Sequence, residues 1–392
     1  MKKKVILFLN RLVIGGVAQD IVSLAHYLSN DFEILLLVGQ KNDDEQEAIN
    51  LLKEYNGFKV TEIPTLRRSF NFINDIRSYR QVKKIILSFQ PHIMHTHGIK
   101  PGVIGRLAAH FNKVPVILHT YHGHVFHSYF NSLISSFIIK MDRWLAGFST
   151  KIIAISQSQK NELVDVYKIC KEDKTAVIPL GVETEKFLHL EKKREEFRKE
   201  YFLENDEIAI GIIGRIVPIK NHVFFINAVK EILDEIAAVR IFIIGDGLSR
   251  EELEVYLDDE MIAHTYFPRN GFKSPVTFTS WQTDIRKVIA GLDIIALTSL
   301  NEGTPLSLME AQAAGKPVIS TKVGGVPEIV LDQGTGYIVE PSNLNQYSRK
   351  LKKLIENETI RLKMGADGQK FIESRFSKQK QADSHKALYS SL

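Results

Sequence analysis

The chain has 392 residues, 44% hydrophobic and 25% charged, which is the balance of a soluble globular protein and too much chain for one compact core. A single cysteine, Cys170, excludes an internal disulfide and fits a reducing cytoplasm. The net charge of +5 is uneven: residues 1–185 hold 23 basic against 17 acidic side chains, so anionic partners are expected on the first half.

The opening MKKKVILFLNRLVIGG has the charged head and apolar run of a secretory signal. The run is short, Asn10 and Arg11 break it, and a helical pattern follows in place of a cleavage site, so it reads as a first strand. Nowhere does a run of about 18 apolar residues occur, so no helix is expected to span a membrane. Further strands are expected at FEILLLV, KVTEI, HIMHT, VPVILHT and TKIIAIS, separated by stretches such as VAQDIVSLAHYLS with apolar residues every three or four positions. The second half repeats the scheme with EIAIGIIG, RIFIIG, SPVTFT, LDIIALT, KPVIST and GYIVE. Nearly continuous apolar strands alternating with helices indicate parallel sheets covered on both faces. Two such sets predict an α/β protein of two doubly wound, Rossmann-like domains facing each other across a cleft. The expected boundaries are residues 1–182, a charged linker at 183–206, a second domain at 207–375, and a C-terminal helix at about 376–392 that packs back on the first domain.

Ligands of doubly wound sheets bind beyond the carboxyl ends of the strands, which directs attention to the loops there. Gly15 and Gly16 follow the first strand and open a helix, where the backbone can approach a ligand and free N–H groups meet an anion. They do not form GxGxxG, which weighs against a nicotinamide cofactor. The segment LRRSFNFINDIRSYRQVKKIILSF, 66–89, interleaves Arg67, Arg68, Arg77, Arg80, Lys83 and Lys84 with Phe70, Phe72, Ile73, Ile76 and Tyr79. Such a helix either lies on an anionic membrane surface or covers a sheet with a solvated basic face. No nucleic-acid-binding module is visible. Eight of the 13 histidines fall between His92 and His127, at His92, His95, His97, His110, His119, His122, His124 and His127. No carboxylate or cysteine is interleaved at metal-ligand spacing, so neutral imidazoles, structural or bonded to sugar hydroxyls, are expected. In GRIVPIKN, Arg215 and Lys220 occupy a strand-to-helix loop and are placed to clamp a diphosphate. In NEGTPLSLMEAQAAG, Thr304 reads as an N-cap and Pro305 as the first helical residue. Glu302 then lies in the loop, Glu310 lies within the helix, and Leu306 and Ser307 offer first-turn N–H groups. Two acids so separated do not share one proton; they suit two grips on hydroxyl groups.

Together these loops resemble those of glycosyltransferase family 4, of the GT-B fold. The resemblance rests on GG after strand one, GR…K at the second domain's first strand and the spaced acids of EGTPLSLME. AAGKPVISTKVGGVPEIV, IIAISQSQKNELV and VIPLGVETEKF add to it, while HTYHGHVF and SLNEGTPLSLMEA are similar to bacterial members that build surface polysaccharides. It implies a retaining hexosyltransferase that uses a nucleoside diphosphate sugar, a uridine diphosphate sugar before a guanosine diphosphate sugar, with no cofactor and no essential metal. The acceptor it implies is a saccharide, free or lipid-linked, in capsule, exopolysaccharide or O-antigen synthesis, with the enzyme cytoplasmic and peripheral on the inner membrane face. It places the donor's diphosphate on Arg215, Lys220 and the backbone of Leu306 and Ser307, with Thr304 and Pro305 shaping that turn. Gly15 and Gly16 approach the phosphate, Glu310 holds the ribose, Glu302 the sugar hydroxyls, and Gly245 and Gly247 of GDGLSREEL lie near the base. His122 aligns with the histidine beside the donor sugar, with His119 and His124 as competitors. The stretch 258–272 matches no pattern of the family. Two rivals stay open, a nucleotide-sugar epimerase on the same fold and a catalytically silent subunit.

Overall fold

The computed structural model describes residues 2–13, 15–41, 48–69, 71–123, 132–267 and 272–392. The chain divides into two compact units, the first made of Met1–Gly181 with Lys378–Leu392 and the second of Val182–Ser377.

The first unit holds seven parallel strands: β1 (Lys3–Leu9), β2 (Phe32–Gly39), β3 (Lys59–Ile63), β4 (Ile93–His97), β5 (Val116–Tyr121), β6 (Lys151–Ala154) and β7 (Thr175–Val177). They lie in the order β3-β2-β1-β4-β5-β6-β7. Val5 to Leu9 are all buried, as a strand covered by helices on both faces must be. One layer packs Leu7, Leu24 and Ile34 with the helix Gly16–Leu28, and the other packs Phe8, Val82 and Ile104 with the helices Phe72–Phe89 and Ile99–Phe111. The order in which the chain adds strands reverses between β1 and β4, which makes the loops after these two strands the mouth of the sheet's crevice.

The second unit repeats the plan with β8 (Ile208–Ile213), β9 (Val239–Ile244), β10 (His264–Tyr266), β11 (Val276–Ser280), β12 (Ile294–Leu297), β13 (Val318–Thr321) and β14 (Gly336–Val339). Their order is β10-β11-β9-β8-β12-β13-β14, so its reversal lies between β8 and β12. All twelve strands expected from hydropathy are present. The two that hydropathy missed, β7 and β10, are three-residue edge strands, too short to show a period. The unmatched stretch 258–272 contributes the end of the helix Arg250–Asp259 and then β10.

The segment 183–206, expected as a linker, is instead part of the second unit. Its helix Glu191–Glu200 buries Phe197 against Tyr201 and Phe242, the Phe242 ring lying edge-on at 5.3 Å. Arg194 donates to the Asp293 carboxylate at 2.7 Å and to the Ala290 carbonyl at 3.1 Å, at the end of the helix Ile285–Gly291. The final helix, Lys378–Ser391, belongs to the first unit and buries Ala382 and Tyr389 in its core. Among the described residues no helix is long and apolar enough to cross a membrane.

Candidate functional site

In the second unit the crevice loops are built by β8, β9 and β12. Gly214 N–H donates to Ile244 O at 2.9 Å and Ile216 N–H to Asp246 O at 3.0 Å, which ties the loop after β8 to the loop after β9. A Cβ on Gly245 would stand 2.0 Å from Gly214 O, so the two loops meet this closely only with glycine, here at φ +127°. Gly247 donates to the Asp246 carboxylate at 2.8 Å, and Ser280 donates to it at 3.2 Å. Arg215 is exposed on this loop. Leu300 N–H donates to Ile219 O at 2.8 Å, and Thr298 Oγ1 donates to Lys220 O at 3.0 Å, so the loop after β12 is tied to it as well.

These ties bring Lys220 and Glu302 together. The ammonium is ion-paired with Glu302 Oε1, and Ser299 Oγ donates to the same oxygen at 2.6 Å. The loop after β13 closes beneath them: Gly325 N–H donates to Gly303 O at 2.7 Å, and a Cβ on Gly324, at φ +48°, would meet Glu302 O at 1.7 Å. Ser299 and Gly324 were missed in sequence, although SLNEGTP and KVGGVPE contain them; only the fold sets one loop under the other.

The helix after this loop runs Leu306–Ala313, and its N-cap is Pro305 rather than Thr304. Pro305 is extended, at φ −74° and ψ 109°, and its carbonyl accepts from Leu308 N–H at 3.2 Å. The fixed proline φ suits either state, so sequence alone shifts the start by one residue. Leu306 and Ser307 remain first-turn residues whose N–H groups lack an intrahelical acceptor by position. Thr304 is buried, and Glu310, inside the helix, is only 5% exposed.

In the first unit, Gly15 caps the helix Gly16–Leu28 at φ +155°, a backbone conformation that side-chain-bearing residues rarely adopt, with both glycines exposed at its start. One turn on, the buried Asp20 accepts from Lys378 Nζ at 2.6 Å and Gln381 Nε2 at 2.9 Å, both on the C-terminal helix. The histidines sort by strand alternation. His119 faces the helix layer, bonded to Thr96 Oγ1 at 2.8 Å and against Gly102. His95, His97 and Thr120 face the other way: His95 bonds Tyr389 OH at 2.6 Å and Thr120 Oγ1 at 2.7 Å. His97 Nδ1 and His122 Nε2 share a hydrogen bond of 3.0 Å. His122 thus lies on the Asp20 side of the sheet while the competitor His119 is enclosed on the opposite side. His124, with His127, lies outside the described residues. Burial holds His95, His97 and His119 well below the usual histidine range, and it lowers His122 too, against the opposing Asp20 charge. His92 accepts from Lys4 N–H at 3.0 Å, and His110 stacks on Phe148, so both serve the structure.

The basic helix Phe72–Phe89 covers the sheet through Val82 and Ile86. Its other face is exposed and carries Arg77, Arg80, Lys83 and Lys84, while Phe72 and Ile73 stand 80% and 62% open.

Comparison with known proteins agrees with this architecture. Residues 14–186 match the model of Glycosyltransferase Family 4, and residues 193–371 match that of Glycosyl transferases group 1. An Escherichia coli protein, UDP-Gal:alpha-D-GlcNAc-diphosphoundecaprenol alpha-1,3-galactosyltransferase, is 27% identical over 363 residues, 88% of this chain and 89% of its own. The capsular polysaccharide biosynthesis glycosyltransferase CapM of Staphylococcus aureus is 27% identical over 333 residues, 84% of each chain. In structure, Anabaena HepE in complex with UDP and glucose superposes with a TM-score of 0.81 at 19% identity over 100% of both chains, a likeness of fold. The two family models leave only the ends and a short junction unmatched, and the chain belongs to the GT-B glycosyltransferases that pair a family 4 domain with a group 1 domain.

Proposed function

We propose that this glycosyltransferase moves a hexose or N-acetylhexosamine, with retention, from a UDP-sugar to a hydroxyl of a lipid-linked saccharide in bacterial surface polysaccharide synthesis. The observation that carries the reading is the meeting of Lys220, Glu302 and Ser299 at the reversal point of the second sheet, beside a helix start. A cation and first-turn N–H groups suit a diphosphate; a carboxylate suits sugar hydroxyls. The E. coli relative is named for a UDP-galactose donor and a diphosphoundecaprenol-linked acceptor, and HepE was solved with UDP and glucose.

In this mechanism Arg215, Lys220 and the N–H groups of Leu306 and Ser307 bind the donor diphosphate and stabilise the negative charge that grows on it as the C1–O bond breaks. Glu302 holds the sugar hydroxyls, Glu310 the ribose, and His122 lies beside the donor sugar. Gly15 and Gly16 let the backbone approach the phosphate, and Gly245 and Gly247 border the base. The acceptor oxygen bonds to C1 on the face the diphosphate leaves, and its proton passes to the departing phosphate oxygen, so the reaction needs neither a separate base nor a metal. The exposed Phe72 and Ile73, flanked by Arg77 and Arg80, suit peripheral contact with an anionic membrane.

The test is a panel of UDP- and GDP-sugars, scored for nucleoside diphosphate release with a lipid-linked acceptor, with and without chelator, and for the anomeric configuration of the product. Release from a UDP-sugar, undiminished by chelator and with retention, is expected. Inversion, chelator loss or a preference for GDP-mannose each overturns its part of the reading. Conversion of donor to an epimer without acceptor overturns the whole.

A further inference from the structure

Three buried polar atoms converge in the first unit with no hydrogen-bond partner among the described residues: Asp20 Oδ2, His97 Nε2 and His122 Nδ1. Their side chains border one small gap together with Thr120, Gln381 and His385. A bare carboxylate oxygen beside two imidazoles would ordinarily draw a proton onto one of them, because burial strengthens the attraction that water would screen. Here the positive charge comes from elsewhere. Lys378 Nζ spends its donors on Asp20 Oδ1 at 2.6 Å, Asp20 O at 3.0 Å and Gln381 Oε1 at 2.8 Å, with the ammonium and carboxylate side chains 2% and 1% exposed. Gln381 is itself fixed, accepting from Gly181 N–H at 3.0 Å and donating to Asp20 Oδ1.

We infer that Lys378, on the C-terminal helix, is a positioning residue for the reaction, acting on His122 through Asp20. The inference rests on the place proposed for His122 beside the donor sugar. With Lys378 present, Asp20 and the ammonium cancel, and both His97 and His122 stay neutral and share one proton in their hydrogen bond. The charged and titratable groups that interact electrostatically with His122 are Asp20 from the first helix, His95 and His97 from β4, Lys378 and His385 from the last helix and, from the other side of the sheet, His119 of β5. Of these Asp20 alone pulls His122 towards the imidazolium, and Lys378 opposes it. A cationic His122 could only donate in its bond with His97, which would force His97 to accept through Nδ1 and carry its own proton on Nε2.

The experiment follows the His122 Cε1–H resonance of histidine-labelled protein through a pH titration, assigned with H122Q, alongside kcat and donor KM across the same range. In K378M the Asp20 carboxylate is left alone, and His122 should titrate about one pH unit or more higher, with kcat at pH 6 down about tenfold and donor KM unchanged. D20N is nearly isosteric and leaves the ammonium alone, so His122 should shift the opposite way. The double variant D20N/K378M removes both charges and should restore the wild-type titration. A merely structural tie would lower Tm in all three variants without opposite shifts. Unmoved titration of His122 in both single variants overturns the inference. A shift in titration with kcat unaffected at every pH leaves the charge balance standing and overturns the role given to His122.

Discussion

Glu302 takes hydrogen bonds from Lys220 and Ser299 through one oxygen, so its second oxygen is the one left to a donor's hydroxyl groups. Glu310 differs: it sits inside a helix and is almost fully buried, so the helix rather than the loop sets the position of its carboxylate. A charge-assisted bond of this kind contributes about 1.5–3 kcal/mol, so Glu310→Ala should weaken donor binding by about tenfold or more in calorimetric titration. Equal donor affinity in wild type and variant would count against the ribose assignment. For His122→Ala the expected change is a lower kcat with donor affinity kept, read from steady-state kinetics. Arg215, Lys220 and Glu302 were legible in sequence because each sits in a loop at a recognisable strand end, and Glu310 because it falls in the helix that follows one of those loops. Ser299 was not, since a serine two positions past a strand says nothing until the neighbouring loop is placed against it.

At the scale of elements, the helix Glu191–Glu200 shows how little apolar surface is needed to dock a charged segment. EKKREEFRKE offers one large apolar residue, and Phe197 is 1% exposed. The rest of the attachment is polar: Arg194 donates to the Asp293 carboxylate at 2.7 Å and to the end of the helix Ile285–Gly291, a turn that Lys316 Nζ, from elsewhere in the unit, also bonds, at Ala290 O (2.9 Å) and Leu292 O (2.7 Å). Burial, with the nearby Arg194 charge, lowers the Lys316 ammonium to about 8. Phe197→Ala should therefore cost about 3–5 kcal/mol, the usual penalty for truncating a buried aromatic ring, and lower the unfolding midpoint in urea. A loss under about 1 kcal/mol would mean that the helix is held by its arginines alone. The mostly charged pattern reads as a solvated linker because periodicity weighs many residues equally, whereas docking here depends on one ring and a few helix-end carbonyls.

For the molecule as a whole, the first unit is the acid-sensitive one. His95, His97, His119, His122 and His385 are all in it, each lowered first by burial, His385 to about 4, whereas the second unit has His222, lowered to about 4. A histidine whose folded value lies below its unfolded value of about 6.5 stabilises the fold above that pH, and the contribution is lost as pH falls towards the folded value. Stability should thus drop from about pH 6.5 down to about 4, by up to about 1.4 kcal/mol per pH unit for each such group. Hydrogen exchange at pH 7 and pH 5.5 should show protection falling first in β4, β5 and the C-terminal helix. Uniform loss across both units would contradict this.

By itself the sequence determined the α/β class, twelve of the fourteen strands, the two sheets and the loops that carry Lys220, Glu302 and the paired glycines. These features are written in neighbouring residues, in runs of apolar side chains and in glycines that follow them. Only the tertiary structure decided which face of β4 and β5 each histidine takes, which loop lies under Glu302, and that Lys378 meets Asp20 across 358 positions of chain. Those pairings follow from strand register and from how the last helix seats on the first unit. No local pattern encodes them, because the groups that neutralise one another in a buried site are chosen by packing and burial rather than by distance along the chain.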